Sequence, residues 1–79
     1  MKKSKFFFII SLYKFSLKYK NSGSVIKEIS QIREIIEKKK DFSKENVEVL
    51  ISIITEIIYK NPRTYLDGNT ILSYLFPLI

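Results

Sequence analysis

Apolar residues in the middle of the chain step by four, three and four: Val25, Ile29, Ile32 and Ile36. That spacing marks one face of an α-helix, because 3.6 residues per turn bring these positions onto a single stripe. Lys27, Glu34 and Lys38 fall off the stripe. Glu34 precedes Lys38 by four residues, the favourable order for a helix ion pair. The pattern predicts a helix over 25–39. The run Lys38-Lys39-Lys40 closes it, where cations suit the negative end of the macrodipole.

Further along, Val47, Val49, Leu50, Ile51, Ile53, Ile54, Ile57 and Ile58 dominate, and Glu48, Ser52, Thr55 and Tyr59 form a polar stripe. The β-branched content suits a strand, but the length and the helical spacing of the polar residues predict the most buried helix of the fold. Ser43 reads as its N-cap, with Phe42 and Val47 placed to form a hydrophobic staple and Glu45 in the first turn. Asn61-Pro62 ends it, since the residue before proline is pushed out of the α region. Leu66-Asp67-Gly68-Asn69 reads as a turn, with Asp67 or Asn69 capping a short last helix over 70–76 that carries Ile71, Leu72, Leu75 and Phe76 and stops at Pro77.

The first segment, 4–19, is more ambiguous. Ser4, Ser11, Lys14 and Lys18 recur at helical spacing and leave Phe6, Ile9, Ile10, Tyr13 and Leu17 to the other side. Residues 14–20 instead alternate strictly, which is a strand signature. No other segment alternates to pair with them, so a helix is preferred. Asn21-Ser22-Gly23-Ser24 follows as a turn, with Ser22 or Ser24 as a cap. Four short helices with tight connections predict an all-α fold, a small antiparallel four-helix bundle forming one domain over 1–79.

Composition narrows the chemistry. With no Cys and no His among 79 residues, disulfides, zinc sites and nucleophilic triads are excluded, and the commonest general base is missing. A chain without Cys reads as cytoplasmic. Gly23 and Gly68 are too few for a phosphate-cradling loop. Glu34 with Glu37, and Glu45 with Glu48, sit three apart, but such pairs on amphipathic helices read as solvated charge. We expect no enzymatic activity, no cofactor and no metal.

The net charge of +6 lies wholly in residues 1–20, where Lys2, Lys3, Lys5, Lys14, Lys18 and Lys20 stand with no acid among them. Phe6, Phe7, Phe8, Tyr13, Phe15 and Tyr19 are interleaved. Such a segment suits contact with an anionic membrane surface through those six lysines; a core helix with a solvated lysine face is the other reading. Nucleic acid is disfavoured, because Arg33 is the only arginine before Arg63. The opening invites a signal-peptide reading, yet its apolar run from Phe6 to Tyr13 is short, Lys14 interrupts it, and no small-residue cleavage pattern follows. It reads as a mature helix. At the other end, residues 61–79 mix Arg63, Tyr65, Asp67, Asn69 and Tyr74 with the apolar Phe76-Pro77-Leu78-Ile79; exposed aromatics and arginine are typical interface anchors, and an ordinary loop with a packed last helix is the other reading.

The stretch IKEISQIREIIEKKKDF, then ENVEVLISIITEIIYKN, a polar loop and ILSYLFPLI resembles the immunity proteins that protect producers of pediocin-like (class IIa) bacteriocins. The shared pattern is an amphipathic helix ending in a lysine run, an apolar helix ending in Lys-Asn, and a short final helix; it covers 25–79. The Phe run of the first 24 residues is atypical. The resemblance implies a left-turning four-helix bundle at the inner face of the cell membrane. Its partner would be a mannose phosphotransferase permease with bound bacteriocin, and specificity would lie in Lys60, Arg63, Tyr65, Asn69 and Tyr74. Another small adaptor or inhibitor bundle is the alternative. A third possibility is the helical hairpin that dephosphorylates the sporulation response regulator, but Ser52-Ile53-Ile54-Thr55-Glu56 stands where that family has Ser-Gln-Glu-Leu-Asp.

Overall fold

The computed structural model describes the backbone of residues 2–38 and 43–79 and the side chains of residues 8–38 and 43–79. Four helices follow one another: α1 Lys2–Lys18, α2 Ile26–Lys38, α3 Lys44–Lys60 and α4 Tyr65–Leu75. Single 3₁₀ turns at Gly23–Val25, Pro62–Thr64 and Phe76–Leu78 complete the described elements. Helix α1 packs on α2 and α4, and α3 packs on the same two from the other side, so α1 and α3 are diagonal partners. The end of α1 meets the start of α4 through Lys18 and Asp67, and the end of α3 meets the start of α2 through Lys60 and Glu28. Neighbours therefore run antiparallel, and the fold is an all-α four-helix bundle.

Local chemistry accounts for the boundaries of α3. Ser43 is extended, and its side chain accepts a hydrogen bond from the Asn46 amide at 3.5 Å. Asn61 leaves the helical region (φ −136°) ahead of Pro62, and its amide donates back to the Ile57 carbonyl at 2.8 Å. The same Asn61 side chain caps the next turn by accepting from the Arg63 amide at 3.2 Å. Phe42 of the expected staple, and Lys39 and Lys40 of the expected closing run, lie outside the described residues.

The core joins Phe8, Leu12 and Phe15 of α1, Val25, Ile29 and Ile32, Val47, Leu50, Ile54 and Ile57 of α3, and Ile71 and Leu75 of α4. Helix α3 contributes more of it than any other helix among the described residues, and Glu48, Ser52, Thr55 and Tyr59 are exposed as the stripe predicted. Glu34 and Lys38 meet at 3.4 Å.

Two expectations are corrected. The face of α1 is rotated: Phe8, Leu12 and Phe15 are buried, whereas Ile10, Tyr13 and Leu17 are 37, 48 and 41% exposed. Ile9 does pack against the core, and the side chain of Phe6 lies outside the described residues. Polar positions mislead here because α1 is apolar on two sides: Ser11 and Lys18 line the flank towards α4, and Lys14 reaches the exterior beside Ile10 and Leu17. Ser16 is even buried, its hydroxyl satisfied by donation to the Tyr13 carbonyl at 2.7 Å. The second correction concerns Leu66-Asp67-Gly68-Asn69, which is helical within α4. Gly68 serves close approach and not a turn: a Cβ there would lie 2.6 Å from Ile58 of α3.

Candidate protein-binding face

Helix α4 is where exposed side chains of the right kind gather. Gly68, Ile71 and Leu75 turn inward. Tyr65, Asn69, Leu72 and Phe76 recur at i, i+4, i+7 and i+11 and so share one flank. Tyr65 is 57% exposed, Asn69 and Phe76 are exposed, and Leu72 is half-buried. Leu66 beside them is 78% exposed, so the face carries apolar surface that the core does not cover. Arg63 is exposed in the turn that leads into the helix.

The candidates do not all meet. Asp67, Thr70 and Tyr74, at i, i+3 and i+7, form the opposite flank, which borders α1. A groove there is lined by Ser11, Lys14, Phe15, Lys18, Asp67, Thr70 and Ile71. Tyr74 therefore stands apart from Tyr65 and Asn69. Lys60 is a link between helices: its ammonium lies 2.6 Å from Glu28 and 3.8 Å from Glu56. The Glu28 side chain is almost wholly enclosed. Its hydrogen bond to Lys60 holds the carboxyl below the ordinary range, and the same contact raises Lys60.

A second ionic link orients α4. Asp67 accepts from the Lys18 ammonium and from the Tyr19 hydroxyl, each at 2.8 Å. These bonds, the one from Lys18 first, lower the Asp67 carboxyl; burial and the nearby carboxylate push the Tyr19 phenol up. Asn61 donates to the Ser22 hydroxyl at 3.0 Å and ties the first connection to the third. Thr64 is buried with its hydroxyl on the Asn61 carbonyl at 2.7 Å. The face is thus carried on a helix whose first turn is tied to α1 through Asp67 and whose preceding connection is tied to Ser22 through Asn61.

Among the lysines expected at a membrane surface, Lys14 and Lys20 are exposed and Lys18 is paired with Asp67. The side chains of Lys2, Lys3 and Lys5 lie outside the described residues. No helix among the described residues is long and apolar enough to cross a membrane. No cluster of carboxylates suited to a metal ion occurs among them either. Glu34, Glu37, Glu45 and Glu48 are exposed.

Comparison with family models, with curated proteins and with solved structures finds no match.

Sequence reasoning missed Leu66 as a member of the α4 face and saw Phe76 only as part of the apolar end, because the expected turn over 66–69 broke the periodicity of α4. A helix started at Tyr65 would have aligned Tyr65, Asn69, Leu72 and Phe76. Glu28 was missed as well. Its one signal was its place one residue before Ile29 of the apolar stripe, at the edge of the buried face.

Proposed function

We propose that the chain is a non-catalytic binding protein of the bacteriocin-immunity type, which acts at the inner face of the cell membrane on a receptor carrying its bacteriocin. The observation that supports this reading is the exposed flank of α4, Tyr65, Asn69, Leu72 and Phe76, with Leu66 and Arg63 beside it. Aromatic, aliphatic and arginine side chains on a rigid helix are the anchors from which protein interfaces draw most of their energy. Fixing that helix in advance through Gly68, Asp67 and Asn61 reduces the ordering cost of association. In this reading Arg63, Tyr65 and Asn69 contact the partner, Lys60 positions the segment, and Tyr74 belongs to a separate flank. The partner is a mannose phosphotransferase permease with bound pediocin-like bacteriocin.

The test is expression of the chain in a bacteriocin-sensitive strain, followed by challenge with a panel of pediocin-like bacteriocins. Protection against a subset is expected, and Tyr65→Ala with Leu66→Ser should abolish it while helical content and soluble yield are retained. Absence of protection by a folded, soluble chain overturns the immunity reading. Protection that survives the α4 substitutions removes that face from the mechanism.

A further inference from the structure

Helix α1 has an outward face that the bundle leaves unused. Ile10, Tyr13 and Leu17 stand at i, i+3 and i+7 and form an apolar ridge that is between about a third and a half exposed. Lys14 belongs to the same face, one turn from both Ile10 and Leu17, and Lys20 follows just beyond the helix. Residues 1–20 hold six lysines and no acid, and the remaining residues are neutral overall. Within this segment Lys18 is neutralised by Asp67, whereas Lys14 and Lys20 form no ion pair among the described residues.

We infer that this face binds the surface of an anionic lipid bilayer. Ile10, Tyr13 and Leu17 enter the boundary between headgroups and acyl chains, and Lys14 and Lys20 meet the lipid phosphates. Two features favour lipid over a nucleic acid. A phosphate backbone offers nothing to an aliphatic ridge, and residues 1–20 contain no arginine. A bilayer surface takes both halves of the face, the apolar ridge and the cations beside it. The 17-residue helix is too short to span a membrane and lies in the plane of the interface. With α1 on the surface, its diagonal partner α3 faces away, and α4 stands to one side. The inference does not depend on which protein α4 binds.

The experiment uses the full chain with vesicles of phosphatidylcholine alone or mixed with phosphatidylglycerol. The chain has no Trp, so Leu17→Trp gives a single reporter on the ridge and Thr55→Trp a control on α3. Binding to the phosphatidylglycerol vesicles, weakening as salt rises, is expected, with a blue shift for Leu17→Trp and none for Thr55→Trp. Lys14→Gln and Lys20→Gln should each lower partitioning by about fivefold at low salt. Tyr13→Ser with Leu17→Ser should lower it by about tenfold or more. Circular dichroism checks that these surface variants stay folded. Equal affinity for both vesicle types, or no binding at low salt, overturns the inference. Binding without a shift of the Leu17→Trp emission also overturns it, since only the lysines would then be engaged.

Discussion

At one end of the bundle, where α1 and α3 finish and α2 and α4 begin, polar links join parts of the chain that are distant in sequence. Lys60 meets Glu28, Lys18 and Tyr19 both meet Asp67, and Asn61 meets Ser22. At the other end, where α4 finishes, Leu75 is buried, Leu78 packs on the core, and Phe76 and Ile79 are exposed. Apolar contacts stabilise without direction, whereas a charged hydrogen bond between two helices is satisfied in one arrangement only. The laced end therefore selects which helix lies beside which and at what register. It is also the end from which the α4 face is presented.

That contrast can be broken at several levels. The largest loss should come from the layer between the two ends: Ile54→Ala, at a fully buried position, should cost about 2–5 kcal/mol in urea denaturation. If a single polar link cost as much, the laced end would be a source of stability and not of selection. Next in size is Gly68→Ala. Overpacking against Ile58 should cost about 1–3 kcal/mol, partly offset by a helix-propensity gain of up to about 1 kcal/mol. A double-mutant cycle with Ile58→Ala, which removes the obstructing atoms, should show favourable coupling; additive effects would mean that α3 and α4 separate freely.

The two ionic links should rank by burial. Glu28→Gln should cost about 1 kcal/mol, because it weakens a bond in an enclosed site. Asp67→Asn, at a more exposed position, should cost less, about 0.5 kcal/mol. Reversal of that order in thermal melts would show that the Tyr19 hydroxyl, and not enclosure, decides the strength.

The smallest effect is one of pH. Both carboxyls titrate below their ordinary values of 4.5 for Glu28 and 3.8 for Asp67, held down by their lysine partners. The unfolded chain thus binds more protons in acid, and stability should fall as pH drops from those values through the folded ones. Above the ordinary values the contribution is fully present. Glu28→Gln and Asp67→Asn should each flatten the acid limb of a stability-against-pH curve. An unchanged limb would place the acid sensitivity in other groups.

Helices α2 and α3 were legible because their patterns are one-sided. The stripe from Val25 to Ile36 and the polar stripe Glu48, Ser52, Thr55 and Tyr59 of α3 each define a single buried face, and Ser43 and Pro62 mark the ends of α3 by backbone chemistry that needs no neighbour. Helix α1 was legible as a helix but not in orientation, since Phe8, Leu12 and Phe15 on one side compete with Ile10, Tyr13 and Leu17 on the other. The start of α4 was read as a turn because Asp67, Gly68 and Asn69 have turn chemistry. Contact with α3 overrides it: the missing side chain of Gly68 lets Ile58 approach.

Taken by itself, the order of residues determined the all-α class, the four-helix arrangement, the buried faces of α2 and α3, and the confinement of excess charge to residues 1–20. These depend on periodicity, capping and composition, all of which are local. Only the tertiary structure decided which apolar side of α1 enters the core, why Gly68 is a glycine, and that Glu28 and Asp67 find lysines 32 and 49 residues away. Those outcomes depend on packing between distant segments, and a long-range contact leaves no periodic trace in the sequence on either side of it.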